Sequence, residues 1–310
     1  MTILMATYNG GKYLAEQLES LFAQTVDFRL VVQDDGSSDD TREILSKYQA
    51  RYPEVVSVSV NKSTLGAANN FLDLMVNHKS DKDGKDDYTM LCDQDDVWLP
   101  NKIEITLAEM KRMEQLHPNE AILIFTDLHI VDKDLNIVHR SYKKAMHSDS
   151  SRTSLPQVLI QNLLTGCTAM YNRKLSDLLT TIPNYCIMHD WWLLLVASAF
   201  GKIGYVNRQT ILYRQHGKNS IGATNVRKLS YKLNRLIKAE NIKRAIRETY
   251  TQAESFSATY NHLLDPSQQN ILHQYISIPH KNKLGRWLTI CKLGSFKIGF
   301  TRNIAYFIFI

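Results

Sequence analysis

Cysteine and long apolar runs are both scarce in this chain of 310 residues. Its four cysteines are widely spaced and include no Cys-x-x-Cys pair, which argues against a zinc site or a dithiol redox motif. Isolated thiols of this kind are typical of a reducing compartment. No apolar run approaches the roughly 20 residues that span a bilayer, and the first residues already predict a strand rather than a signal peptide. These absences predict a cytoplasmic protein without a membrane-spanning segment.

The net charge of +6 is unevenly distributed along the chain. Residues 226–310 hold 14 Lys/Arg and 4 Asp/Glu, a net charge of +10, whereas residues 1–225 hold 23 and 27, a net charge of −4. In the basic segment, the cations are interleaved with Leu, Ile and aromatic residues. This mixture favours peripheral contact with an anionic membrane surface, here the inner face of the cell membrane, over a plain solvated helix. Nucleic acid is not expected as a partner.

Short apolar strands alternate with helical patterns through the first half of the chain. Strands are predicted at 3–6, 30–32, 55–60, 88–92 and 121–125, and helices at 14–22, 41–52, 67–76 and 101–116. The alternation predicts a doubly wound, Rossmann-like, mostly parallel α/β sheet, which binds ligands at the carboxyl ends of its strands. We predict one domain over 1–222, with a nucleotide-binding half at 1–100 and an acceptor half at 101–222, and a basic helical appendage at 223–310.

Three carboxylates stand within four residues at Asp93-Gln94-Asp95-Asp96, directly after an apolar strand. Carboxylates this close together repel one another unless a cation or a donor-rich ligand neutralises them. A divalent metal that carries a diphosphate meets this requirement, and it indicates an enzyme that uses a nucleotide-activated substrate. We expect Asp96 to cap the following helix rather than to bind the metal.

A second acidic cluster, Asp34 to Asp40, joins the second strand to its helix. Its later residues, Ser38, Asp39 and Asp40, are typical of a turn and a helix N-cap. Asp35 precedes the turn, and its carboxylate is placed to accept a hydrogen bond from a base N–H or a ribose hydroxyl.

Four stretches, TYNGGKYL, VVQDDGSSDDT, LGAANNF and LCDQDDVWLPNKI, together resemble the inverting GT-A glycosyltransferases of the large family that includes bacterial cell-wall and capsule enzymes. The resemblance covers about residues 1–220, and the regions 190–192 and 213–217 look especially like bacterial rhamnosyltransferases. It implies a GT-A fold and transfer of one sugar, L-rhamnose from dTDP-β-L-rhamnose, to a polyprenyl-linked cell-surface glycan. The QxxRW motif of the family's processive synthases is absent. A UDP-hexose transferase of the same fold and a sugar nucleotidyltransferase are the alternatives, and a homodimer is left open.

The resemblance also implies roles for individual residues. Asp190 would be the general base, with a helix cap as its alternative role. Asp93 would bind the ribose, and Asp95 with His216 would ligate Mn²⁺ or Mg²⁺. Further contacts to the nucleotide sugar would come from Ala6, Thr7, Tyr8, Asp35, Asn70 and Arg214, with Lys218 as an alternative to Arg214. The residues expected on the acceptor side are Gly166, His189, Trp191 and Trp192.

Overall fold

The computed structural model describes residues 1–78, 87–216 and 231–310, of which 231–238 are described by their backbone alone. The chain forms two compact units. The first comprises Met1–Met146, Leu164–Ile182 and Met188–Gly222, and the second comprises His147–Leu163, Pro183–Ile187 and Ala223–Ile310. The predicted boundary between residues 222 and 223 lies outside the described residues.

A mixed sheet of nine described strands forms the centre of the first unit. The strands are β1 (Thr2–Thr7), β2 (Arg29–Asp34), β3 (Val56–Val60), β4 (Tyr88–Cys92), β5 (Val97–Trp98), β6 (Ala121–Val131), β7 (Ile137–His139), β8 (Ala169–Asn172) and β9 (Gly201–Arg214). Their order is β3-β2-β1-β4-β8-β6-β9-β5, with β7 beside β6. Strands β1 to β4 form parallel ladders, as do β6 and β9, and β8 runs antiparallel between β4 and β6.

Helices connect these strands and make up most of the second unit. They are α1 (Gly11–Phe22), α2 (Thr41–Arg51), α3 (Ala67–Asn77), α4 (Lys102–Leu116), α5 (Tyr142–Ala145), α6 (Leu155–Val158), α7 (Arg173–Leu178), α8 (His189–Phe200), α9 (Tyr231–Tyr260), α10 (Pro266–Ile276), α11 (Lys283–Leu293) and α12 (Phe300–Phe309). Of these, α6 and α9 to α12 belong to the second unit. The fold is therefore the α/β class with a mostly parallel sheet and a helical C-terminal region, as predicted.

The core of the first unit follows from the periodicity of its elements. In α1, Leu14, Leu18 and Leu21 recur every three or four residues and are fully buried in the main apolar cluster. Burial of each such side chain contributes about 2 kcal/mol to folding. Strand β1 is buried on both faces, as expected for a central strand of a parallel sheet that is covered by helices. This core fixes the ends of β1, β2 and β4, where the polar segments lie.

The second unit is held together by buried polar contacts as well as by apolar packing. The side chain of Asp265 caps α10 by accepting a hydrogen bond from the Gln268 amide (2.9 Å), and Pro266 occupies the first helical position. The buried hydroxyl of Tyr275 on α10 lies 2.9 Å from that of Thr249 on α9. No described helix combines the length and the apolar character needed to cross a bilayer.

Candidate active site

The carboxyl ends of β1 and β4 are joined by side-chain hydrogen bonds. The Gln94 amide group pairs with the main chain of Tyr8, accepting from its N–H (2.9 Å) and donating to its carbonyl (3.0 Å). Thr7 is buried and donates to the Asp34 carboxylate (2.9 Å), whereas Ala6 is partly exposed and Tyr8 is half exposed. The predicted nucleotide segment 6–8 is therefore fixed against the acid loop, by which we mean residues 93–96.

Asp35 and Asn70 organise the loop between β3 and α3. The Asp35 carboxylate accepts hydrogen bonds from the amides of Leu65 and Gly66 and from the Asn61 side chain, each at 2.8 Å. Asn61 also donates to the Asn70 side chain at 3.0 Å. Both oxygens of Asp35 thus have partners within the protein, and Asp35 and Asn70 are both buried. The structure shows them shaping the loop at residues 61–66.

Asp96, the last residue of the acid loop, is fully buried. Its Oδ1 accepts a hydrogen bond from the Arg214 amide (3.0 Å), which ties the loop to the end of β9. Burial raises the pKa of Asp96 well above its ordinary value, and the charges of Asp93 and Asp95 add to the rise. The expectation that Asp96 caps the next helix is wrong, because β5 intervenes and α4 begins at Lys102.

The side chain of Arg214 is buried and binds the main chain of the acid loop. Its Nε donates to the Asp95 carbonyl (2.9 Å) and one terminal nitrogen to the Lys133 carbonyl (2.7 Å). The other terminal nitrogen donates to the Glu16 carboxylate, and the guanidinium lies over the Tyr13 ring, 4.5 Å from its centroid. All three guanidinium nitrogens therefore have partners inside the protein. The described contacts make Arg214 a positioning residue for the acid loop.

Asp95 and His216, 121 positions apart in sequence, meet at this site. The Asp95 carboxylate lies 2.7 Å from His216 Nε2, and the imidazole stacks on Tyr13 with ring centroids 4.9 Å apart. Both side chains are partly exposed, at 16% and 18%. A carboxylate oxygen and an imidazole nitrogen are ligands that Mn²⁺ accepts, so this pair fits a divalent cation. The alternative phosphate contact, Lys218, lies outside the described residues.

A second group of ligand atoms lies deeper in the same region. Asp93, Asp96 and Cys167 each place one such atom within 4.8 Å of the others. Burial, together with the charges of Asp95 and Asp190, raises the pKa of Asp93 to about 7. Burial also raises the pKa of the Cys167 thiol well above its ordinary value. Protonated groups are poor metal ligands, so this trio, in which Asp96 and Cys167 are buried, fits a hard divalent cation less well than the partly exposed pair of Asp95 and His216.

Asp190 lies in the first turn of α8, and its charge acts on the acid loop. Its Oδ1 accepts from the Trp191 amide (2.6 Å) and its Oδ2 from the Gly166 amide (3.2 Å). The helix N-cap itself is Met188. The negative charge of Asp190 contributes to the raised pKa of Asp93. The structure therefore brings the predicted base and the acid loop together, and it holds the carboxylate by two backbone N–H groups.

The residues expected on the acceptor side differ in their exposure. Trp191 is partly exposed, whereas Trp192 is buried in the core. His189 is also buried, and its ring stacks on Phe71 with centroids 4.0 Å apart. Neither ring nitrogen of His189 has a hydrogen-bond partner among the described residues. Gly166 approaches this ring so closely that a Cβ there would lie 2.7 Å from Nε2, so only glycine fits.

Replacing His189 by phenylalanine is expected to make the protein less sensitive to acid. Burial lowers the pKa of His189 from 6.5 to about 3. Below pH 6.5 the unfolded chain therefore binds a proton at this position that the folded chain does not, and the free energy of unfolding decreases as the pH is lowered. From pH 7 to pH 5 this decrease is about 2 kcal/mol. In His189→Phe this contribution disappears while the stack on Phe71 remains. Denaturant unfolding at the two pH values measures the difference.

The exposed His262 provides the matched control for this measurement. His262→Phe should show the same acid loss as the wild type. An equal loss in His189→Phe and in the wild type would contradict the burial of a neutral imidazole.

Three residues of the site were not predicted from the sequence. Gln94 and Tyr13 lie inside motifs that were recognised, but their side chains gave no separate signal. Lys102 is fully buried with its ammonium 4.5 Å from the Trp98 ring centroid, and burial lowers its pKa to about 8. A lysine at the start of a helix is ordinarily solvated, so its position beneath the acid loop becomes evident only in the folded chain.

Comparison with known proteins relates this chain to others by family and by fold. The family described as glycosyl transferase family 2 matches residues 2–179. The dTDP-rhamnosyl transferase RfbG of Shigella flexneri is 30% identical over 240 residues, which cover 74% of this chain and 77% of that protein.

Two solved structures share the fold. TarS of S. aureus in complex with UDP-GlcNAc has a TM-score of 0.57 and 17% identity over 90% of this chain and 72% of its own. The mannosyltransferase PcManGT of Pyrobaculum calidifontis in complex with GDP-Man and Mn²⁺ has a TM-score of 0.52 and 15% identity over 94% and 73%. The predicted family resemblance and GT-A fold are confirmed.

Proposed function

Because this chain belongs to glycosyl transferase family 2, we propose that it transfers one L-rhamnosyl group from dTDP-β-L-rhamnose to a lipid-linked precursor of a cell-surface polysaccharide. The observation that carries the choice of donor is the 30% identity to a dTDP-rhamnosyl transferase over 74% of the chain. Family membership favours sugar transfer over the nucleotidyl transfer that the acidic residues alone left open.

In the proposed reaction Asp190 acts as the general base. Its carboxylate takes the proton of an acceptor hydroxyl as the hydroxyl oxygen forms a bond to the anomeric carbon. The bond from that carbon to the diphosphate breaks on the opposite face, its electron pair leaves with dTDP, and the anomeric configuration inverts. Support comes from the two amides, of Gly166 and Trp191, that fix the carboxylate. A base held in this way needs little reorganisation before proton transfer.

We assign the binding of the departing nucleoside diphosphate to the acid loop. Asp95 and His216 would hold Mn²⁺ or Mg²⁺, and the cation would supply positive charge for the departing diphosphate. The bound Mn²⁺ of PcManGT supports a cation in this fold. Asp93 would contact the ribose. Arg214 binds the main chain of the loop and Gln94 ties the loop to the main chain of Tyr8, and their role is to keep these carboxylates in position.

The second candidate function is a UDP-hexose transferase. The observation in its favour is the likeness to TarS, whose structure contains UDP-GlcNAc. The same general base and the same acid loop would serve both reactions, since dTDP-rhamnose and the UDP-hexoses differ in the nucleobase, the 2′-hydroxyl of the pentose and the transferred sugar rather than in the diphosphate.

A donor screen separates the two candidates. With Mn²⁺ present, nucleotide release from dTDP-rhamnose should exceed release from UDP-glucose, UDP-galactose and UDP-GlcNAc by at least about tenfold, because a site that hydrogen-bonds its own sugar leaves polar groups unpaired with another. Release without added metal measures the contribution of the cation in the same experiment.

The matched control for the screen is Asp190→Asn, which shows how much nucleotide release comes from contaminating hydrolases. Fastest release from a UDP-hexose would overturn the rhamnosyl assignment in favour of the second candidate. Equal release by wild type and Asp190→Asn with all four donors would contradict both.

A further inference from the structure

One face of the helix pair α11 and α12 exposes an unusual number of large apolar side chains. On each helix they recur at intervals of three or four residues, which places them on the same side. We call this set the apolar face: Leu284, Trp287, Leu288, Phe300, Ile304 and Ile308. Phe300 is 81% exposed and Leu288 is 62% exposed. A groove of about 440 Å³ lies on this face, lined by Lys283, Trp287, Phe300, Asn303, Ile304, Phe307 and Ile308.

The apolar face is built on well-packed helices. Ile290 on α11 and Tyr306 on α12 are buried on the sides that face the second unit's interior. The Trp287 indole N–H donates to the Phe307 carbonyl (2.9 Å), one of the last carbonyls of α12, which have no partner within their own helix. The side chain of Asn282 caps α11 by accepting from the Gly285 amide (2.8 Å). The exposure of the apolar face is therefore a feature of the folded unit rather than of a frayed end.

The charge around the apolar face has one sign. Residues 266–310 contain six Lys/Arg and no Asp/Glu. Lys283, Lys292 and Arg302 are exposed on the same two helices. The Lys283 ammonium lies 5.6 Å from the Trp287 ring centroid. An exposed apolar patch on two helices that carry cations and no carboxylates calls for an occupant that combines apolar groups with anionic ones.

We propose that the apolar face binds the interfacial region of an anionic lipid bilayer. Its six side chains would lie at the boundary between headgroups and acyl chains, with both helices parallel to the membrane plane. Trp287 would occupy the depth that tryptophan favours, and the cations would contact lipid phosphates. Helix α12 has ten residues, about 15 Å, which is half the thickness of a bilayer core. It therefore lies in the interface rather than across it.

The same charges disfavour a second copy of the chain as the occupant. A two-fold contact places a surface patch against itself, so each cation near the axis would meet its own like charge. An anionic lipid surface neutralises all of them at once. This inference concerns the second unit alone and holds for any donor sugar that the enzyme uses.

Vesicle flotation with the full chain tests the proposal. The chain should float with phosphatidylcholine vesicles that contain about 30% phosphatidylglycerol, and at least about tenfold less should float with phosphatidylcholine alone. The double variant Leu288→Gln/Phe300→Gln should lose flotation with anionic vesicles by about tenfold or more, since it removes one strongly exposed apolar side chain from each helix. The matched control is Leu116→Gln/Val138→Gln, which changes two exposed apolar residues of the first unit and should float like the wild type.

Tryptophan fluorescence gives a second readout at a defined residue. Brominated lipids should quench wild-type emission, and Trp287→Phe should lose most of that quenching, because Trp98 and Trp192 are buried and the partly exposed Trp191 belongs to the first unit. Equal flotation of wild type and Leu288→Gln/Phe300→Gln, or equal flotation with neutral and anionic vesicles, would overturn the proposal. So would a dimer, measured by light scattering, that forms in the wild type and is absent in the double variant, because the occupant would then be a second copy.

Discussion

Replacing Asp190 by asparagine is expected to lower turnover by about 100- to 10,000-fold while donor affinity stays close to that of the wild type. The amide has nearly the shape of the carboxylate but cannot accept a proton from the acceptor hydroxyl. In the proposed reaction the donor is bound by the acid loop and by residues 6–8, which the substitution leaves intact. Turnover is measured as nucleotide release at saturating donor and acceptor, and donor affinity by calorimetry.

The surroundings of Asp190 require a control for folding. Its two oxygens accept hydrogen bonds from the Trp191 and Gly166 amides, and asparagine can replace one of these acceptors. Loss of the other should cost about 1–3 kcal/mol of stability. The matched variant is Asp127→Asn, since Asp127 is also buried and accepts from the Ser141 hydroxyl (2.6 Å). It should lose comparable stability with a change in turnover of less than about tenfold.

The two roles considered for Asp190 give different results in this pair of variants. A general base predicts collapse of turnover in Asp190→Asn alone, at temperatures where both variants are folded. A helix cap predicts that turnover follows the folded fraction in both variants. Near-normal turnover of folded Asp190→Asn would remove Asp190 as the base.

The parallel half of the fold was predictable because its periodicity is local. The apolar run 88–92 coincides with β4, and the predicted helix 41–52 ends within one residue of α2. The full extent of β9, Gly201–Arg214, was not evident from the sequence, since the polar residues Asn207, Arg208 and Gln209 interrupt its apolar pattern. Its pairing with β6 shifts register in this region, between Thr126 and Asp127, so backbone pairing rather than side-chain alternation defines the strand.

The short strands β5 and β8 were missed for a related reason. Strand β5 has two residues and pairs antiparallel with β9, and β8 has four residues inserted between β4 and β6. Neither carries enough residues to display a period. The segments 147–163 and 183–187 were likewise assigned to the first domain, although they belong to the second compact unit. Their membership depends on contacts with residues far along the chain.

The sequence located the charged residues of the site better than it predicted their contacts. Asp35 and Arg214 were expected to contact the nucleotide sugar because the family resemblance implied that role. In the fold, Asp35 binds the loop at 61–66 and Arg214 binds the Asp95 carbonyl, 119 positions away. Hydrogen bonds between such distant positions have no local pattern. Local sequence therefore identified the acid loop but not the residues that hold it.

Replacing Asp95 by alanine is expected to abolish the stimulation of donor binding by Mn²⁺, a loss of at least about 100-fold in affinity. Asp95 combines partial exposure with a side-chain contact to His216, so its carboxylate is available to a cation. Its main-chain carbonyl is held by Arg214, a contact that alanine preserves. Calorimetry of donor binding with Mn²⁺, with Mg²⁺ and with EDTA measures the effect.

The exposed carboxylate of Asp134 supplies the matched control, since it pairs with Lys133 at the surface and is not part of the acid loop. Asp134→Ala should keep the wild-type response to metal. His216→Ala should lose part of the stimulation if the imidazole is a ligand of the cation. Arg214→Lys should weaken donor binding but keep the response to metal, because it loosens the main chain of the acid loop and leaves the metal ligands unchanged. Activity unaffected by EDTA, or undiminished Mn²⁺ stimulation in Asp95→Ala, would show that the carboxylates of the acid loop are balanced by something other than a bound cation.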